Sequence, residues 1–197
     1  MRPICPRCHL PLPACLCAWV RPTANRLPLL VLQHPQEAAQ AKGSLRLLGL
    51  SLSACSVQVG ESFDAAALAG WLGPPGSSLL LYPDAPGARR PPVEAWPQPA
   101  QLVLLDGTWR QARTLLRGHP ALQALPRWAL PALAPSAYRI RRAQQPMQRS
   151  TLEAACTALG LLEDRPAHYA PLLAAFSGWV DAVAARAGPG RGTGGRP

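Results

Sequence analysis

An acid, a hydroxyl and an indole arrive together in Asp106-Gly107-Thr108-Trp109, directly after four apolar residues, 102–105, that read as a buried strand. A carboxylate there can orient a nucleophile or take its proton. The hydroxyl can donate or accept a hydrogen bond, and the indole can pack on a planar ring. In an open α/β sheet, ligands bind just outside the carboxyl ends of the strands, which is where Asp106 would stand. The same residues also have an ordinary reading. Thr108 and Gln111 have capping-box spacing, Asp106 suits a turn, and Trp109 could be a core aromatic. The pattern alone leaves both readings open.

A second constellation is Cys5-x2-Cys8-x6-Cys15-x-Cys17. Four thiolates this close in sequence can close a tetrahedral zinc site, and the Cys-x2-Cys half has ordinary ligand spacing. His9 could replace one cysteine, and an iron–sulfur cluster is a competing occupant without an oxidoreductase signature to accompany it. A structural zinc site is the expectation, with metal binding supplying most of the folding energy of so short a segment. Cys55 and Cys156 read as buried core thiols.

Charge is the third signal. The chain has a net charge of +10, which points to a polyanionic partner, most simply nucleic acid. Between 101 and 149, Arg110, Arg113, Arg117, Arg127, Arg139, Arg141, Arg142 and Arg149 face a single acid, Asp106, which such a field should keep ionised. No run approaches the roughly 18 apolar residues of a membrane span. The proline-rich, cysteine-bearing start lacks the apolar stretch of a signal peptide. The expectation is a cytoplasmic protein without membrane contact, whose clustered cysteines bind metal.

These residues must be held by a frame. Strands are predicted over 27–33, 54–59, 78–82 and 102–105, and helices over 37–48, 64–72 (with an acidic cap), 109–117, 151–162 and 169–187. A surface loop is expected over 85–99 and two extended pieces over 127–142. Strands alternating with helices imply βαβ units and a mostly parallel sheet. The chain divides into a cysteine-rich zinc module over 1–24, a catalytic domain over 25–187 and a Gly- and Arg-rich disordered tail over 188–197.

Three smaller features fit this frame. Tyr138-Arg139-Ile140-Arg141-Arg142 alternates as a strand with one wet face, suited either to phosphates or to a charged edge. Ser150 and Glu153 repeat the capping-box spacing, and the helix start they mark offers N–H groups to an anion. Glu37, Lys42 and Arg46 could share one helical face, solvated or in contact with RNA, while His34 reads more simply as a satisfied core histidine.

The cysteine quartet, His34-x2-Glu37 with Ala41-Lys42-Gly43-Ser44, Tyr82-Pro83, Asp106-Gly107-Thr108-Trp109 and Ser150-Thr151-Leu152-Glu153-Ala154 occur in this order. The combination resembles the DTW-domain family, the tRNA-uridine aminocarboxypropyltransferases, over about residues 5–165. The resemblance implies a SPOUT-like α/β fold with a C-terminal trefoil knot, one of the rare exceptions to the usual connection rules. It implies transfer of the 3-amino-3-carboxypropyl group of S-adenosylmethionine to N3 of a tRNA uridine, with methylthioadenosine released. On that reading Asp106, Thr108 and Trp109 are catalytic. Tyr82, Pro83, Leu105, Asp106, Gly107, Ser150, Thr151 and Glu153 cradle the donor. Lys42, Arg46, Arg110, Arg113, Arg139, Arg141 and Arg142 grip RNA, and Cys5, Cys8, Cys15 and Cys17 hold zinc. Where the family commonly has Asn-Thr, this chain has Gly43-Ser44, which keeps the hydroxyl and loses the amide. The rival readings are an RNA methyltransferase using the same donor and a zinc-bearing RNA-binding module without catalysis.

Overall fold

The computed structural model describes residues 3–40, 43–83, 99–130 and 150–187. At its centre five parallel strands form one sheet: β1 (Leu29–Gln33), β2 (Cys55–Val59), β3 (Ser78–Leu81), β4 (Gln101–Asp106) and β5 (Arg127–Trp128). Their spatial order is β2-β1-β4-β3-β5. The expectation of an α/β protein with a parallel sheet and flanking helices is met.

The near-continuous apolar runs of β1 and β4 follow from burial on both faces, since successive side chains of a strand point to opposite sides. Leu29 and Val31 of β1, with Leu102 and Leu104 of β4, enter one core; Leu30, Leu32 and Val103 enter the other. The first core is covered by α2 (Ser44–Ser51), α6 (Thr151–Leu162) and α7 (Ala170–Ala187), the second by α3 (Ala65–Leu72), α4 (Trp109–Gly118) and α5 (Pro120–Gln123). Each fully buried leucine at these interfaces contributes about 1.5–3 kcal/mol.

The cysteine segment belongs to the first core, where Cys5, Cys8, Leu10, Leu16 and Val20 are buried. Trp19 packs against Gly178 of α7, where a Cβ would come within 2.5 Å of the indole, so that seat requires glycine. The connection into β1 is bolted down. The Asn25 amide donates to Leu27 O and Ala54 O, and Glu163 Oε1 accepts from the backbone N–H groups of Arg26 and Leu27.

Several expectations need correction. The helix over 37–48 is two helices, α1 (Pro35–Ala38) and α2, because Gly43 is extended (ψ 126°) and caps α2 rather than continuing α1. Glu37 and Arg46 therefore do not share a helical face, and Glu37 is buried. Cys156 is buried as expected, but Cys55, on the edge strand β2, is only partly so. The final helix begins at Ala170 after a 3-10 turn over Pro166–Tyr169. Asp64 caps α3 as expected, accepting from the N–H groups of Ala66 and Ala67. The remainder of the 127–142 region beyond Leu130, most of the 85–99 loop, and the tail over 188–197 lie outside the described residues.

Candidate active site at the sheet switch point

From β1 the chain turns toward β2 on one side, and from β4 toward β5 on the other, so the carboxyl ends of β1 and β4 flank the topological switch point. A crevice opens there in sheets of this kind. Gln33 and Asp106 are register partners at those two strand ends. Gln33 Nε2 donates to Asp106 Oδ2 at 2.8 Å, and Thr151 Oγ1, from the start of α6, donates to Asp106 Oδ1. His34 N donates to the Asp106 carbonyl at 2.9 Å. The half-buried carboxylate is thus gripped from β1 and from α6 at once. That grip fixes its orientation, which is what a positioning acceptor needs.

The turn after β4 is tight. A Cβ on Gly107 would stand 3.1 Å from Gln111 Cβ and 3.2 Å from Gln111 Oε1. Thr108 caps α4 in a complete capping box. Gln111 N donates to Thr108 Oγ1, and Thr108 N donates to Gln111 Oε1. The cap uses the threonine oxygen as an acceptor, so the exposed hydroxyl keeps its proton to donate. Gln111 Nε2 also donates to Gln36 Oε1 at 2.8 Å, tying α4 to α1. Trp109 is 46% exposed and meets Tyr82 edge-on, with ring centroids 6.2 Å apart. The Arg127 guanidinium lies 6.0 Å from the Tyr82 ring centre on its other contact, within cation–π range.

The residues expected to cradle a donor fall into two groups. Tyr82 and Pro83 leave β3 beside Leu105, Asp106 and Gly107, and Thr151 reaches them from α6. Ser150 and Glu153 are buried and act on each other. Glu153 Oε2 accepts from Ser150 N at 2.9 Å and Ser150 Oγ at 2.8 Å, while Ser150 Oγ accepts from Glu153 N. Their capping box fixes the start of α6 and so presents Thr151. His34 is likewise a cap. Its Nδ1 accepts from Gln36 N, which places the proton of the neutral ring on Nε2, 3.8 Å from Glu61 Oε1.

Of the residues expected to meet RNA, Arg110 and Arg113 lie with Arg117 on the exposed side of α4, opposite buried Ala112, Leu115 and Leu116. Arg46 is turned inward, donating to Cys8 O at 3.1 Å and Ala38 O at 3.2 Å. Lys42, Arg139, Arg141 and Arg142 lie outside the described residues. Sequence reasoning missed Gln33 and Gln36, and placed Arg127 only in the general basic field around Asp106. The signal for Gln33 was present, since it ends an apolar strand with a polar side chain just as Asp106 does.

The four cysteine sulfurs of the N-terminal segment lie within 4.8 Å of one another, with Cys5–Cys17 and Cys8–Cys15 pairs at 3.7 Å. Sulfurs about 2.3 Å from a tetrahedral zinc stand about 3.8 Å apart, which the two closest pairs already match, so the quartet is close to the spacing that ion needs. The backbone N–H groups of Cys8 and Arg7 point at Cys5 and lower its pKa to about 6, favouring the thiolate. Burial and the neighbouring sulfurs push Cys17 up to about 12. Four such groups ionise together only around a cation. Cys5, Cys8, Cys15 and Cys17 would hold it, and its contribution would be structural.

Fold and side-chain geometry together define an α/β protein with a polar cluster at the sheet switch point, where such folds bind ligands, and a cysteine knuckle. The DTW domain model matches residues 2–184, and the chain belongs to the DTW domain family. It is similar to tRNA-uridine aminocarboxypropyltransferase 2 of Drosophila melanogaster, with 36% identity over 173 residues, covering 82% of this chain and 67% of the relative. It is also similar to the proteins of that name from Mus musculus (33%) and Macaca fascicularis (30%), covering 82% of this chain and 57% of each relative. The chain thus spans little more than half the length of the two mammalian relatives. None of the solved structures matches significantly. No described helix is long and apolar enough to cross a membrane.

Proposed function

We propose that this chain transfers the 3-amino-3-carboxypropyl group of S-adenosylmethionine to N3 of a uridine in tRNA. The observation that carries the reading is the carboxylate of Asp106, fixed by Gln33 and Thr151 at the switch point of a DTW-domain chain whose relatives bear that activity in their names. In the transfer, N3 attacks the γ-carbon next to the sulfonium. The carbon–sulfur bond breaks, its electron pair neutralises sulfur, and methylthioadenosine leaves while the N3 proton passes to solvent, directly or by way of the Asp106 carboxylate. The leaving group is already excellent, so positioning supplies most of the catalysis. Asp106 orients the uracil edge or the donor, the Thr108 hydroxyl donates to it, and Trp109 with Tyr82 offers a face for a ring. Tyr82, Pro83, Leu105, Gly107 and Thr151 line the donor side, with Ser150 and Glu153 holding Thr151 in place.

N3 is the Watson–Crick donor of uracil, so the target must be unpaired when it reacts. The stripe Arg110, Arg113 and Arg117 on α4 leads RNA phosphates to the cleft, joined by Lys42, Arg139, Arg141 and Arg142. Residues 1–24 serve as the zinc module, 25–187 as the catalytic domain with a SPOUT-like trefoil knot, and 188–197 as a tail; the protein works in the cytoplasm.

The test uses S-adenosylmethionine labelled separately in its methyl and carboxypropyl carbons, with unmodified tRNA and zinc-loaded protein. Carboxypropyl label in tRNA together with released methylthioadenosine is expected. Methyl label in tRNA would replace the reaction with methylation, and no transfer to any tRNA would favour an RNA-binding module.

A further inference from the structure

We propose that Arg46 is a positioning residue that links the cysteine knuckle to the β1–α1 corner of the cleft. One guanidinium spans both. Nη1 donates to the carbonyl of Cys8, inside the Cys5-x2-Cys8 half of the knuckle, and Nη2 donates to the carbonyl of Ala38, the last residue of α1. α1 is a single turn, too short to be stable by itself. It is held at its start by the His34 cap and at its side by the bond between Gln36 and Gln111 of α4. The Arg46 bond supplies the hold at its end. Through it the position of the knuckle reaches His34, whose backbone N–H binds the Asp106 carbonyl, and Gln111, which completes the Thr108 cap.

The helix carrying Arg46 is itself placed against the site, since Ser44 Oγ in its first turn accepts from Leu152 N, next to Thr151. Arginine suits the post because its planar fork presents two donors in fixed relative geometry, whereas a lysine ammonium is a compact point charge on a flexible stem. A purely electrostatic role toward RNA would leave the guanidinium pointing outward. This one is spent on two backbone carbonyls. A second arginine clamps the same segment elsewhere, for Arg186 Nη1 donates to Pro13 O at 2.9 Å, but it makes no bond to α1. That difference supplies the control.

The experiment compares metal-loaded wild type, Arg46→Gln, Arg46→Lys and Arg186→Gln by hydrogen exchange over residues 34–39, with metal content measured in each. Arg46→Gln is expected to keep its metal while exchange over 34–39 rises about tenfold; Arg46→Lys should recover only part of the protection, and Arg186→Gln should leave that segment unchanged. A second readout depends on the transferase reading of the cleft. With 113Cd in the knuckle, saturating S-adenosylmethionine should shift the cadmium resonance in wild type and Arg186→Gln but not in Arg46→Gln, because coupling between two sites is reciprocal. Equal exchange in Arg46→Gln and wild type, or equal loss in Arg46→Gln and Arg186→Gln, would overturn the link. Should Arg46→Gln fail to hold metal, Arg46→Lys is judged against Arg186→Gln by the same criterion. If S-adenosylmethionine binds none of the proteins, the functional reading fails, and the exchange data alone decide the link.

Discussion

In the knuckle four sulfurs converge within 4.8 Å, like groups that repel one another once ionised, whereas at Asp106 each carboxylate oxygen meets a donor supplied by the chain itself. The knuckle has the spacing to be completed from outside, by a cation. The cleft is completed from inside, and among the described residues no buried side-chain nitrogen or oxygen lacks a partner. The contrast separates two kinds of dependence. On the zinc reading, stability at the N-terminal segment is tied to metal, while the geometry at the switch point is tied to side chains brought from Gln33, Asp106 and Thr151, far apart in sequence.

The largest effect should come from breaking the knuckle. Cys5, Cys8, Leu10, Leu16 and Val20 share a core with β1, α6 and α7, so loosening them exposes the sheet face as well. Stripping the metal, or Cys8→Ser, is expected to lower the melting temperature by on the order of 10 °C or more, since metal binding at such sites is folding energy. A thermal melt with and without chelator checks it. A shift of only a degree or two would mean that the segment folds on its apolar contacts alone, and the contrast between the two regions would collapse.

The cleft should respond the other way, losing function before stability. Asp106→Ala removes the acceptor shared by Gln33 and Thr151, but both bonds are only part-buried and water can replace the lost acceptor, so the stability cost should stay at about 1–3 kcal/mol in all. Transfer should fall on the order of 10³-fold, as when a preorganised polar group is removed from an active site. Asp106→Asn keeps one acceptor oxygen and should fall between. The readout is aminocarboxypropyl transfer measured beside metal content and melting temperature. An Asp106→Ala protein that retains full transfer would take the carboxylate out of the reaction.

How much of this was legible beforehand follows from where each interaction lives. The two capping boxes, Thr108/Gln111 and Ser150/Glu153, are local and could be read from spacing, as could the buried runs of β1 and β4 and the cysteine quartet. The bond from Thr151 to Asp106 joins residues 45 positions apart and depends on how α6 returns to the sheet, which no local pattern encodes. The break between α1 and α2 was hidden because 37–48 is apolar enough at helical spacing to read as one helix, and a single extended glycine decides against it. Arg46 was misleading for the opposite reason. A basic residue near a helix start suggests a solvated or RNA-facing charge, and only the folded knuckle supplies the carbonyl that turns it inward.

The smallest effect concerns the thiols outside the knuckle, and it sharpens the comparison because the fold resists their ionisation, whereas metal binding requires it of the knuckle thiols. Burial, with a smaller contribution from the Glu153 carboxylate, pushes Cys156 up to about 12 from an ordinary value of 9.0. Below pH 9 the thiol is protonated in folded and unfolded chains alike, and its burial carries no penalty. Above pH 9 the unfolded chain releases the proton while the folded one retains it, so stability falls as pH rises toward 12. At pH 10 the loss should be about 1 kcal/mol from this residue, one pKa unit past the unfolded value. Cys55, raised to about 11 by its partial burial, adds to the same slope. Under reducing conditions with metal bound, Cys156→Ala is expected to flatten the decline between pH 9 and 11 while leaving stability at pH 7 within about 1 kcal/mol, measured by denaturant titration at each pH. An unchanged alkaline slope would show that the thiol at 156 reaches solvent through local opening. The core beneath α6 would then be looser than the packing of Leu152, Ala155 and Leu159 implies.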